Sequence, residues 1–275
     1  ILGYDHPIYT NVVYPWAQNN RVSAPGAPTD FNPVGHYRRT FTVPDKWNGK
    51  RIRLHFEGVE SAYYVWVNGN YVGYSEDSFT GHEFDINKYL RKGENNISVQ
   101  VFRWCDGSWL EDQDFIRLSG IMRDVYIYAV PEVHIQDFQI DATLTNNYTD
   151  GLLKTTAWIY NSTGSSSGEY TVELSLYNDA GSEVIAPTAQ KVSGIGANGG
   201  EKSVHFEIPY AKPNRWSAET PYLYTAVLTI KENTGKIIQV ESNKIAFRSV
   251  ESKKDNGVPR LLVNGMPVKF HGVNR

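Results

Sequence analysis

A short β-hairpin is the feature that most narrows the fold of this chain. Residues 62–67 read AYYVWV and residues 70–73 read NYVG, with Asn68 and Gly69 between them. An Asn-Gly pair supplies the two positive φ angles of a type I′ turn, which joins adjacent antiparallel strands. Residues 36–43, 51–56 and 96–101 alternate polar and apolar side chains, as half-buried strands do. This series of short strands, without the pattern of a three-turn helix, predicts a β-sandwich or jelly roll.

A second series of strands begins after Pro131. Strand-like segments recur six times, at residues 133–144, 152–160, 169–177, 202–208, 222–231 and 236–247. Turn signals rich in Asp, Asn and Gly separate several of them. Six or seven strands within about 115 residues fit an immunoglobulin-like sandwich. We expect residues 162–168 and 194–200, which are rich in Ser and Gly, to form exposed loops.

The composition supports an all-β protein in two parts. The length of 275 residues suggests about two domains. The 18 Tyr and 7 Trp, against only 2 Met, suit strands and sugar stacking better than helices. A net charge of −3 without a basic patch argues against nucleic acid. No apolar run approaches the roughly 20 residues of a membrane span, so we also expect no membrane partner.

Residues 103–120, which we call the acidic loop, contain the densest group of side chains suited to binding a ligand or to catalysis. They contain four carboxylates and two tryptophans, namely Asp106, Glu111, Asp112, Asp114, Trp104 and Trp109. Carboxylates accept hydrogen bonds from sugar hydroxyls, and aromatic faces cover the C–H surface of a pyranose. Two alternatives remain open. One is a solvated loop with two core tryptophans, and the other is an acid/base pair among the acidic loop's own carboxylates.

Three stretches carry a resemblance to a known family. Residues 106–114 read DGSWLEDQD and are followed by RLSGI at 117–121 and RDV at 123–125. Residues 215–224 read RWSAETPYLY, and residues 271–275 read HGVNR. The first two stretches resemble the N-terminal domains of bacterial β-galactosidases of glycoside hydrolase family 2. The third resembles the first strand of that family's catalytic barrel.

The resemblance implies a fold and a division of the chain. It implies an all-β protein with a jelly-roll (galactose-binding-domain-like) β-sandwich over residues 1–131 and an immunoglobulin-like β-sandwich over 132–250. Residues 251–275 would form a hairpin and the orphan first strand of a truncated (β/α)8 barrel. Retaining glycosidases use two carboxyl groups, which in this family lie in the barrel beyond Arg275. We therefore expect no catalytic residue here and no activity of the chain by itself.

The resemblance also assigns site residues. It gives Asp114 a contact with the bound galactose and a place among the ligands of a sodium ion, whose other ligands belong to the barrel. It gives Glu60 a sugar contact, although Glu60 stands where the family has asparagine in a Gly-Val-Asn-Ser-Ala loop. An amide donates and accepts, whereas an ionised carboxylate only accepts. Magnesium is a further cofactor that the resemblance allows in the parent enzyme.

The expected parent is a bacterial enzyme, cytoplasmic or periplasmic and homo-oligomeric, that cleaves terminal β-D-galactosides such as lactose. This chain would supply one wall of the galactose pocket and brace the missing barrel. Two alternatives stay open. A stand-alone carbohydrate-binding module is disfavoured by the barrel-like residues 271–275. A β-glucuronidase or β-mannosidase shares the domain order, but the sequence of residues 111–114 favours the galactosidase.

Overall fold

The structure is a computed structural model that describes residues 7–11, 13–14, 22–111, 114, 116–255 and 257–273. These residues form an all-β protein, as predicted, with 19 strands and three short 3-10 segments at Asp45–Trp47, Asn87–Tyr89 and Asp106–Trp109. The chain divides into two compact units, Ile1–Val130 and Pro131–Arg275. A helix with the length and apolar character needed to cross a bilayer is not found in the described ranges.

The first unit is a sandwich of antiparallel sheets. Its strands are β1 Val34–Thr42, β2 Arg51–Phe56, β3 Val59–Glu60, β4 Ala62–Val67, β5 Asn70–Ser75, β6 His82–Asp85, β7 Glu94–Phe102, β8 Gly120–Ile121 and β9 Val125–Val130. One sheet has the order β1-β7-β4-β5, a second has the order β6-β2-β9, and β3 pairs with β8. Alternate residues of β2, β4 and β7 face inward and form one buried core with Phe84 and Ile86. Burial of these apolar side chains is the main force that holds the sheets together.

The predicted Asn-Gly hairpin is confirmed. Strands β4 and β5 pair from Val67↔Asn70 to Tyr63↔Ser75, with a bulge after Val65. Asn68 has φ 51° and Gly69 has φ 80°, the two positive values that this turn requires. The hairpin leads through β5 to the turn that contains Ser78, which contacts the acidic loop.

The second unit is an immunoglobulin-like sandwich of seven strands. They are β10 Val133–Thr145, β11 Asp150–Asn161, β12 Tyr170–Tyr177, β13 Glu183–Val192, β14 Gly200–Tyr210, β15 Tyr224–Glu232 and β16 Ile237–Ile245. The sheets β10-β11-β14 and β13-β12-β15-β16 share one core. All six segments expected from the sequence are present, and β13 is a seventh. The loop at 194–200 is not wholly exposed as expected, because Ile195 is fully buried in that core.

The last part of the chain forms a small three-stranded sheet. Its strands are β17 Val250–Asp255, β18 Val258–Val263 and β19 Met266–Pro267. Asn264 and Gly265 form the predicted hairpin turn with φ values of 51° and 78°. The described residues 268–273 lie in no strand, and residues 274–275 are outside the described part. The assignment of residues 271–275 to the first strand of a catalytic barrel therefore stays a prediction.

Candidate functional site

The acidic loop leaves the end of β7 and returns to the sheet at β8. Its two tryptophans are packed against the protein. Trp104 is 4% exposed, and its backbone N–H and carbonyl bond the Asn32 side chain, each at 2.9 Å. Trp109 donates from Nε1 to the Gly26 carbonyl at 2.7 Å, and its ring lies 4.5 Å from that of Tyr14. Trp104 thus offers no open face for sugar stacking. It is a core tryptophan, which is one of the two alternatives left open by the sequence.

Glu111 fastens the middle of the acidic loop. Its Oε1 accepts from the backbone N–H of Ser78 at 2.7 Å, and its Oε2 accepts from the Ser78 hydroxyl at 2.6 Å. Ser78 is fully buried. Both carboxylate oxygens are therefore engaged in holding the acidic loop to the turn between β5 and β6.

Glu60 fastens the end of the same loop. Its carboxylate accepts from the backbone N–H of Ser119 at 2.9 Å, and the residue is only 8% exposed. Arg117, which is 4% exposed, lies within its electrostatic reach. Burial lowers the pKa of the Arg117 guanidinium, and the negative charge of Glu60 partly offsets that effect. Glu60 and Arg117 therefore place opposite charges near each other at a buried position.

Glu60 and Glu111 border one small cavity. Arg103 and Arg117 also line it, so charges of both signs meet there. The volume is about 10 Å³, and a cavity needs roughly 10–15 Å³ to hold a single water. A sugar ring does not fit in it. This geometry also gives no support to a catalytic acid/base pair among the carboxylates of the acidic loop. Asp112, one of those carboxylates, lies outside the described residues.

Asp114 is placed differently from Glu60. It is exposed, it does not line the small cavity, and its Oδ1 accepts from the hydroxyl of Tyr9 at 2.7 Å. That hydrogen bond is the first cause, before burial and the charge of Asp114, of the raised pKa of Tyr9. The structure thus brings Asp114 together with Tyr9, a residue that the sequence analysis missed. No local pattern around position 9 marks it, because its partner lies 105 positions away.

Two groups of residues can be tested against a cation. Asp114 supplies an anionic oxygen, which suits a hard ion, but such ions take several oxygen ligands. A sodium site that includes Asp114 therefore stays a prediction. Elsewhere, Glu76, Cys105 and Asp106 place ligand atoms within 4.8 Å of one another. Burial raises the pKa of the Cys105 thiol, and a protonated thiol is a poor metal ligand.

Wider grooves lie away from the predicted residues. One of about 760 Å³ runs between edge strands β1 and β9, and one of about 810 Å³ lies in the second unit. Neither is lined by Glu60 or Asp114. The predicted sugar contacts therefore sit on the acidic loop and its neighbours rather than in a preformed large pocket.

Comparison with known proteins gives the family. The model described as "Glycosyl hydrolases family 2, sugar binding domain" matches residues 1–131, and that described as "Glycosyl hydrolases family 2" matches residues 133–248. A β-galactosidase of Priestia megaterium is 48% identical over 273 residues, which are 99% of this chain and 26% of that protein. One of Halalkalibacterium halodurans is 40% identical over 273 residues, 99% of this chain and 25% of that protein.

A solved structure of Bacteroides uniformis β-glucuronidase 2 resembles the chain with a TM-score of 0.78 and 24% identity. The match covers 88% of this chain and 29% of that one, and at this identity it indicates the fold alone. The chain spans about a quarter of the length of the curated relatives that it matches. With two models of one family matched in succession along it, the chain belongs to glycosyl hydrolases family 2.

Proposed function

We propose that this chain is the non-catalytic N-terminal part of a retaining β-galactosidase that hydrolyses terminal β-D-galactosides. The observation that carries the proposal is 48% identity, over 99% of the chain, to an enzyme named β-galactosidase. The likeness to a β-glucuronidase structure is of fold and does not weigh on the substrate. A stand-alone carbohydrate-binding module is the second candidate, and the match to both family models in order makes it the weaker one.

In the proposed enzyme, Asp114 forms part of the wall of the galactoside pocket. Its carboxylate is exposed and has one oxygen bonded to Tyr9, so acceptor capacity remains for a sugar hydroxyl and for sodium. The acidic loop is fastened on either side of it, at Glu111 and at Ser119. A fixed carboxylate binds with a smaller loss of conformational entropy than a mobile one.

Glu60 has a supporting role in this proposal. Its hydrogen bond to Ser119 and its low exposure suit a residue that shapes the acidic loop, and a direct sugar contact of Glu60 stays a prediction. The second unit braces the catalytic barrel, and its continuous core of both sheets suits that role. Magnesium, the compartment and the homo-oligomeric state of the parent enzyme also stay predictions.

The test is to express the complete reading frame that contains this chain. Chromogenic β-galactoside, β-glucuronide and β-mannoside are then compared as substrates at equal concentration. We expect the galactoside to be hydrolysed with a kcat/KM at least about tenfold above the others. Retention of the β configuration, followed by NMR of the released sugar, is the second expected result. Preference for the glucuronide, or a reading frame without a further domain, would overturn the proposal.

A further inference from the structure

Residues 8–10 meet the acidic loop through four hydrogen bonds, two between backbone groups and two that involve side chains. Ile8 and Arg117 exchange two backbone hydrogen bonds, at 3.1 and 2.8 Å. The Arg117 guanidinium donates to the Thr10 hydroxyl at 3.0 Å, and the Tyr9 hydroxyl donates to Asp114 at 2.7 Å. Successive side chains of an extended segment point to opposite sides, so this segment can hold Arg117 and Asp114 at once.

We propose that Tyr9 is a positioning residue for Asp114, and that residues 8–10 thereby belong to the sugar pocket. The inference rests on the proposed function, because it requires that Asp114 contact the galactoside. It adds a residue from outside the acidic loop, on a segment that neither the sequence motif nor the small charged cavity includes.

The hydrogen bond between Tyr9 and Asp114 can orient the carboxylate and still leave it free to accept further hydrogen bonds. An ionised carboxylate has two oxygens and about four acceptor positions, and Tyr9 occupies one of them on Oδ1. A phenol that donates to an anion makes a short, charge-assisted bond, which limits rotation of the carboxylate. The remaining positions stay open for a sugar hydroxyl. A tyrosine hydroxyl is protonated at neutral pH and so remains a donor, and the raised pKa of Tyr9 extends that range to higher pH.

The backbone contacts explain why this donor is held in place although Tyr9 is 56% exposed. Arg117 is buried, and its backbone pairs with Ile8 as an isolated antiparallel bridge. The bridge fixes the residue before Tyr9, and the hydrogen bond that the Thr10 hydroxyl accepts from the Arg117 guanidinium fixes the residue after it. Tyr9 therefore lies between two residues whose positions are fixed. Only the side-chain torsions of Tyr9 lose freedom when its hydroxyl bonds Asp114.

The test is a double-mutant cycle in the full-length enzyme, with Tyr9→Phe, Asp114→Asn and the double variant. Kinetics with a chromogenic β-galactoside are combined with calorimetric binding of a non-hydrolysable thio-β-galactoside. Tyr9→Phe should raise KM and the inhibitor Kd about fivefold with kcat changed less than about twofold. In the Asp114→Asn background, Tyr9→Phe should add almost nothing, because the two residues act through one contact. Tyr71→Phe, at another exposed tyrosine of the same unit, is the matched control.

The outcomes separate this inference from the proposed function. If Asp114→Asn weakens binding while Tyr9→Phe equals the wild type, the positioning role is overturned and the pocket role of Asp114 stands. An equal loss from Tyr9→Phe in both backgrounds would show a general structural effect and also overturn it. If Asp114→Asn has no effect on either measurement, the proposed pocket contact fails and the inference fails with it. Thermal midpoints of each variant identify any loss of folding.

Discussion

The carboxylate of Glu111 holds Ser78 by two hydrogen bonds, from the backbone N–H at 2.7 Å and from the hydroxyl at 2.6 Å. Ser78 is fully buried, so water cannot easily replace a lost partner. Removing one partner of a buried hydrogen bond leaves the other with its desolvation cost. Glu111 therefore has a structural role: it holds the acidic loop against the turn that contains Ser78.

The first prediction concerns stability. Glu111→Ala should lower the free energy of unfolding of the first unit by about 2 kcal/mol, which corresponds to a fall of about 5–10 °C in its thermal midpoint. Calorimetry of the chain measures it. Glu94→Ala, which removes an exposed carboxylate from the same unit, is the control and should shift the midpoint by less than about 2 °C. A Glu111→Ala midpoint equal to that of the control would show that the two bonds contribute no stability.

The sequence predicts strands β2 and β4 to the residue but does not predict strand β13. Strand β2 has the predicted bounds because one face packs on the core and its sequence alternates. Strand β4 ends at the predicted residue because the Asn-Gly turn follows Val67. Strand β13 was missed because it is the edge of its sheet, its residues are mostly exposed, and it contains Pro187. Proline is tolerated on edge strands, where the missing donor faces solvent. The pattern of a solvated edge is thus close to that of a loop.

For the candidate site, the sequence identifies the acidic loop but not the partners of its carboxylates. The motif could not show that Glu111 bonds Ser78, 33 positions away, or that Asp114 bonds Tyr9, 105 positions away. Those pairs depend on how distant segments pack, which no local spacing records. Glu60 illustrates the same limit, since its burial follows from the β3–β8 pairing that brings Ser119 beside it.

The second prediction is a loss of stability at alkaline pH. Burial raises the pKa of Tyr63 and of Tyr224 to about 12, whereas an unfolded tyrosine has a pKa of about 10. The unfolded chain thus releases these protons at lower pH than the folded chain. The contribution of these two protonated tyrosines to the free energy of unfolding is fully present below pH about 10, and it is lost as the pH rises toward about 12.

Urea unfolding from pH about 9 to about 11 measures this loss, with phenolate absorbance reporting which tyrosines ionise in the folded state. The exposed Tyr71→Phe variant should leave the slope unchanged, and Tyr63→Phe should make it shallower. A free energy of unfolding that stays constant across this range would contradict the prediction.

The third prediction concerns the end of the chain. Strand β18 pairs with both β17 and β19, whereas residues 270–273 lie in no strand and include Phe270, 78% exposed, and Val273, 93% exposed. Hydrogen exchange should find amides within β18 protected and those of residues 270–273 exchanging close to the rate of an open chain. Slow exchange at residues 270–273 would mean that another strand pairs with them.

The fourth prediction is that the 275-residue chain does not hydrolyse β-galactosides. A retaining enzyme needs two carboxyl groups about 5–5.5 Å apart with a sugar between them. Glu60 and Glu111 border a cavity of about 10 Å³, which is too small for a sugar. Each of these carboxylates also accepts a hydrogen bond from a backbone N–H. A chromogenic β-galactoside at high protein concentration tests this. Turnover that disappears in a well-folded Glu111→Gln variant would refute it.

The fifth prediction concerns Asp114 in the full-length enzyme. Asp114→Asn keeps the shape of the side chain but removes its charge. If Asp114 has the proposed role, a sugar hydroxyl then loses a charge-assisted hydrogen bond and sodium loses an anionic ligand. Such bonds are worth roughly 1.5–3 kcal/mol, so kcat/KM should fall by about one to two decades, and its dependence on sodium should weaken. Steady-state kinetics with sodium and with potassium in its place measure both effects.

The control for Asp114→Asn is Glu76→Gln, which also replaces a carboxylate by an amide in the first unit. The Glu76 carboxylate accepts from the Tyr74 hydroxyl at 2.9 Å, and an amide oxygen can accept the same bond. This variant should change kcat/KM less than about twofold. Because both substitutions remove one negative charge, a general electrostatic effect would lower both activities alike, whereas a specific contact lowers only that of Asp114→Asn. Equal and unchanged efficiency in the two variants would mean that Asp114 serves only to hold the acidic loop against Tyr9.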